Sequence, residues 1–100
     1  MAYAIDRQGN NVALELSGGV TARDAAELAK SLAQSVNSGA SVVVQTRELD
    51  DVDTCILQML IALQRSVEGF IVEDPSEVFV NAIERCALRR ELLAGSKEAL

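Results

Sequence analysis

The feature that most narrows the fold is Ser41-Val-Val-Val-Gln-Thr46, a β-branched run with three consecutive valines at its centre. A strand with one face in water alternates apolar and polar side chains, whereas a continuous run fits a central strand covered on both faces. Such a strand needs partner strands on either side and amphipathic helices to cover it. Tyr3-Ala-Ile-Asp and Asn11-Val-Ala-Leu-Glu-Leu supply two short strands, the second with Val12, Leu14 and Leu16 on one face. Between them, Gln8-Gly-Asn-Asn has the residues of a hairpin turn, because Gly and Asn tolerate positive φ. Gly18-Gly19 marks a break after the second strand.

Helix signals follow. Thr21-Ala-Arg-Asp24 has the spacing of a capping box, with Asp in the place of Glu or Gln. Behind it, Ala22, Ala25, Ala29, Leu32 and Val36 form one apolar stripe at helical spacing, and Asn37-Ser-Gly39 carries residues suited to a left-handed C-cap. Beyond the valine strand and an acidic connection from Arg47 to Asp53, the spacing predicts a second helix from Thr54 to Glu68, ended at Gly69. Phe70-Ile-Val72 reads as a third core strand. Asp74-Pro75-Ser76 then turns the chain, since the residue before proline is steered away from helix and Ser is a good N-cap. Val78, Phe79, Ala82, Ile83 and Cys86 mark a third amphipathic helix, and Glu91-Leu-Leu a short final one that frays after Gly95.

The order β-β-α-β-α-β-α predicts an α/β fold: a small mixed β-sheet with helices packed against it. Strand-helix-strand alternation gives parallel pairing, and the N-terminal hairpin adds an antiparallel edge. With 100 residues and neither repeats nor linkers, residues 1–100 are expected to form one domain.

Composition bears on function mainly through what it lacks. The chain has no His and only two Cys, thirty-one positions apart, so imidazole bases, His-paired nucleophiles and thiolate–imidazole zinc cages have no residues to build them. Fifteen acids against nine bases give a net charge of −6, which argues against a nucleic-acid partner. The N-terminus has no signal-peptide h-region. Cys55–Leu63, the most apolar stretch, is interrupted by Gln58 and falls short of the roughly 20 residues of a membrane span. These features predict a cytoplasmic, non-enzymatic protein with no cofactor and no direct membrane insertion, its thiols kept free in a reducing compartment.

Four carboxylates fall within six residues, Glu48, Asp50, Asp51 and Asp53, immediately before Thr54 and Cys55 at a helix start. Loops at the carboxyl ends of parallel strands are where α/β folds place their sites. Helix capping by Asp53 or Thr54 is one account of the cluster, since acids there favour the dipole. Cation binding by Asp50, Asp51 and Asp53 is another, but the spacing is not that of an EF-hand loop. Paired-carboxylate hydrolysis is disfavoured, because so small a domain has no second lobe to form a cleft.

Several of these features recur together, in this order, in one family. Leu16-Ser-Gly-Gly-Val-Thr21 opens the first helix, Val42-Val-Val forms the strand, and Leu49-Asp-Asp-Val-Asp-Thr54 occupies the loop. Leu57-Gln-Met-Leu60, Gly69 and Pro75-Ser76 follow. Over residues 3 to 94 the chain resembles the STAS domain, the fold of anti-sigma-factor antagonists that is also found on sulfate transporters. The resemblance implies a protein-interaction module whose loop before the second helix carries an Asp-Ser/Thr-Ser-Gly type motif, phosphorylated by a partner kinase to switch binding. In the antagonist branch the acceptor register falls on Cys55 and the following glycine on Ile56, both departures from the motif. In the stress-signalling branch the acceptor directly follows the Asp, which is Thr54 here. A phosphate there would gain from the helix N-terminus and be repelled by Asp50, Asp51 and Asp53.

Val52-Asp-Thr54 with Leu57-Gln58 is also similar to stand-alone STAS proteins of chemotaxis clusters and to the small STAS subunit of bacterial lipid-transport ABC complexes. The implied partner is a kinase-like anti-sigma factor or chemotaxis signalling protein, with an ABC ATPase as the alternative. The expected contact set is Glu48, Asp50, Asp51, Asp53, Thr54, Cys55 and Gln58, with Thr54 as phosphoacceptor.

The remaining candidates have structural readings. Cys55 is read as a partly buried thiol, the nearby carboxylates offsetting the helix N-terminus that would favour thiolate. Cys86 is read as core, and Arg85, Arg89 and Arg90 as complementing a helix C-terminal end.

Overall fold

The computed structural model describes residues 3–37 and 39–86. Its elements are β1 (Tyr3–Gln8), β2 (Asn11–Leu16), β3 (Gly18–Val20), α1 (Ala22–Ser35), β4 (Ser41–Gln45), β5 (Leu49–Val52), α2 (Thr54–Ser66), β6 (Gly69–Glu73) and α3 (Glu77–Arg85). Four strands form a mixed sheet in the order β1-β2-β4-β6. β1 and β2 pair as an antiparallel hairpin, turning at Gly9 with φ +63°, and β2, β4 and β6 run parallel. The expected α/β fold and mixed sheet are what forms. The Arg89–Arg90 pair and the short helix at Glu91 lie outside the described residues.

The valine run is the sheet's central strand, but only one of its faces is fully buried. Val42 and Val44 are almost inaccessible, in line with Val12, Leu14 and Leu16 on β2 and Val72 on β6, whereas Val43 and Gln45 are half-buried. This corrects the doubly buried strand. Leu28 and Leu32 of α1, Ile56 and Leu60 of α2, and Phe79 and Ile83 of α3 share one apolar cluster with the buried sheet face, so all three helices serve that side. Run composition reflects β-propensity as much as burial, and three valines in a row satisfy the first without requiring the second.

The sequence showed a break at Gly18-Gly19 and an irregular connection from Arg47 to Asp53. Both hold strands, β3 and β5, joined as a separate parallel pair. Neither has the residues of a strand; what makes them one is long-range pairing, with the Gly18 N–H donating to Glu48 O at 2.9 Å and the Asp53 N–H to Val20 O at 3.1 Å. Gly18 sits at φ +63°, a conformation open to glycine at little cost.

In α1 the residues turned inward are Leu28 and Leu32, with Ala25 half-buried, while Ala22 and Ala29 are exposed. The expected stripe therefore holds at Ala25, Leu32 and Val36, which pack on the core, and is offset at Ala22 and Ala29, because Ala pairs with either side of a helix at little cost. The capping box forms as expected: the Thr21 N–H donates to Asp24 Oδ2 at 3.0 Å, and the Thr21 hydroxyl accepts from the first turn. The helix does not end in a left-handed cap; its C-cap is Val36, extended at φ −119°. α3 starts at Ser76, whose Oγ accepts the Phe79 N–H at 3.1 Å. Buried Thr46, immediately after β4, accepts the Ser76 N–H at 3.1 Å and fixes that start against the sheet. Val78, placed on the core stripe by spacing, is exposed.

Candidate functional site

The β3–β5 pair brings two helix starts together. β3 leads into Thr21 and Ala22, the N-cap and first residue of α1, and β5 leads into Asp53 and Thr54, the N-cap and first residue of α2. Asp53 occupies the N-cap position of α2 but makes no side-chain cap there. Its carboxylate instead accepts the Ala22 N–H at 2.7 Å, capping the neighbouring helix. This corrects the expectation that Asp53 or Thr54 caps its own helix. A free N–H at the start of α1 thus receives an anion supplied by another element, where the helix dipole also favours negative charge.

The acids before it are set out by a register irregularity. Gly18 pairs with Leu49, but Gly19 pairs with Asp51, so Asp50 is an extra residue on β5. One inserted residue breaks strict alternation. Leu49 and Val52 are buried, and the two consecutive aspartates between them are both exposed. Asp51 Oδ1 accepts the Val52 N–H at 3.0 Å. The described residues contain no group of three or more Asp, Glu, Cys or His side chains able to hold a metal ion.

Thr54 opens α2 with its side chain exposed, and Gln58, one turn later, is exposed as well. Cys55 is exposed rather than partly buried. Cys86 is not fully buried core; it is half-buried at the end of α3, its sulfur 3.8 Å from Thr54 Oγ1. Asp53, Thr54 and Cys55 therefore stand with Ala22 and Cys86 at one junction, and Asp50 and Asp51 extend along β5. Glu48 faces a separate polar hollow of about 170 Å³ shared with Glu15, Gln45, Arg47 and Glu73. Sequence reasoning missed Ala22 and Cys86. The capping box at Thr21 marked a helix start but carried no sign of which loop lies beside it.

A mixed sheet with helices on one face, and a hydroxyl exposed at a helix start behind an acidic strand, is the arrangement of a STAS domain. The model of the STAS family described as "Mlab, STAS domain" matches residues 3–93, and the chain belongs to that family. Among solved structures, the unphosphorylated form of the anti-sigma factor antagonist SpoIIAA is similar at 13% identity and TM-score 0.72, over 97% of this chain and 89% of the other. The phosphorylated form of SpoIIAA, a Bacillus cell fate determinant, is similar at 11% identity and TM-score 0.72, over 97% and 92%. An uncharacterised Shewanella loihica protein with a SpoIIAA-like fold matches at 18% identity and TM-score 0.53, over 87% and 76%. At these identities the likeness concerns the fold alone. No curated protein matches the sequence. Among the described residues no helix is long and apolar enough to cross a membrane.

Proposed function

We propose that this chain is a non-enzymatic regulatory module that binds a protein partner through the junction of β5 and α2. Asp53 fixes the junction, Thr54 presents its hydroxyl as contact or phosphoacceptor, and Asp50, Asp51, Cys55 and Gln58 complete the contact set, with Glu48 at its margin. The observation that carries this reading is the exposed Thr54 at a helix start without a side-chain cap, held in place by the Asp53–Ala22 bond. A contact surface needs such fixed, solvent-facing groups more than it needs a cleft. The partner class is a kinase-like anti-sigma factor or a chemotaxis signalling protein.

The test is a pull-down from the native cell with wild type, Thr54→Glu and Asp53→Lys, alongside intact-mass measurement after incubation with cellular kinases. Loss of the same partner by both variants supports the reading, and retention of every partner by both refutes it. A single phosphate mapped to Thr54 assigns the switch.

A second reading, as accessory subunit of a bacterial lipid-transport ABC complex, draws support from the family description. It expects a permanent ATPase partner that loses stability in cells lacking this chain, whereas a switched signalling partner keeps its level.

A further inference from the structure

The sheet face turned away from the helices has a charge pattern that the junction does not use. In register across the four strands, Asp6, Ala13, Val43 and Ile71 form one row. Ala13, Val43 and Ile71 are half-buried and contiguous, and a hollow of about 260 Å³ opens beside Ala13 and Val43. At strand spacings of about 4.8 Å, three strands span roughly 10 Å, close to the width of one helix. Carboxylates border this apolar row at one end and along one side: Asp6 ends it on β1, and Glu15 and Glu73 stand in the next row, joined across Gln45, whereas the row on the other side, Asn11, Ser41 and Gly69, is uncharged. The strand residues sharing this face include no Lys or Arg. At its carboxyl end Arg47 lines the polar hollow, but its guanidinium is paired with Asp74 at 3.3 Å.

An apolar row about one helix width across, bordered by carboxylates at one end and along one side, calls for an occupant that is apolar along a ridge and cationic beside it. A second copy of this chain would set carboxylates against carboxylates, which opposes self-association. We propose that this face is a second docking surface, which takes a basic amphipathic helix from a partner protein and is separate from the Thr54 junction.

The probe is a labelled synthetic helical peptide with leucines on one face and lysines flanking them, titrated against the full chain by fluorescence anisotropy. A peptide with glutamates for lysines is the control. The expected result is binding of the lysine peptide alone, weakened at least about tenfold by Asp6→Lys and by Val43→Glu, falling as salt rises, and unchanged by Thr54→Glu. Asp6 is exposed at the end of the row, so its variant reads the surface even if Val43→Glu unfolds the chain. Equal binding by wild type and Asp6→Lys overturns the proposal, as does loss of binding in Thr54→Glu. Two further results overturn it by naming another occupant: self-association abolished by Asp6→Lys, and tighter peptide binding in Arg89→Glu/Arg90→Glu, which would point to the chain's own C-terminal segment.

Discussion

Asp53 shows how one side chain serves a neighbour rather than its own helix. Its carboxylate accepts the Ala22 N–H at 2.7 Å, so the junction depends on an acceptor at that exact position rather than on negative charge in general. Asp53→Ala is expected to lower unfolding free energy by about 1–2 kcal/mol, the range of a lost helix cap, and Asp53→Asn by less, because the amide retains an oxygen. Urea denaturation of the two variants reads the difference. Gly18 gives a second case: its φ is +63° and a Cβ there would meet nothing within 4 Å. The cost of Gly18→Ala is therefore conformational, about 1–2 kcal/mol by the same measurement, with no steric part. The residue types at both positions were plain in the sequence. That Asp53 bonds Ala22 was not, since a contact across thirty-one positions leaves no local periodicity.

At the level of elements, the hairpin, the three helices and the parallel strands follow from periodicity, caps and turn residues. β3 and β5 do not, because a Gly-Gly-Val and a Leu-Asp-Asp-Val segment become strands only by pairing with each other. The offset of α1 at Ala22 and Ala29 has a similar origin: alanine satisfies helical spacing without identifying the face that larger side chains fill. Leu28→Ala is thus expected to destabilise by about 2–5 kcal/mol, the cost of a core cavity. Ala29→Ser, on the stripe that spacing favoured, is expected to stay within about 0.5 kcal/mol. Thermal unfolding of the pair decides which face of α1 is buried. The acidic cluster, by contrast, was legible in position and composition; what the sequence lacked was the bulge at Asp50 that exposes two aspartates in succession.

For the whole molecule, the apolar cluster draws on the sheet and all three helices, and we propose that residues 1–100 unfold as one unit. Tyr3, the chain's only tyrosine, is a suitable probe at the edge strand: it is buried, and its hydroxyl donates to Glu27 at 2.9 Å on α1. Tyr3 fluorescence and far-UV circular dichroism are expected to give coincident urea transitions, and separated midpoints would mean that the hairpin opens on its own. The sequence places Tyr3 only at the start of a strand, since nothing in its surroundings along the chain points to Glu27. The bond between Asp53 and Ala22 also gives the molecule an internal reporter. The Ala22 amide proton, held by a carboxylate from the other helix start, is expected to resonate downfield and exchange slowly with solvent, so a single backbone NMR signal in α1 would register a partner or phosphate arriving at α2 without any label placed at the contact itself.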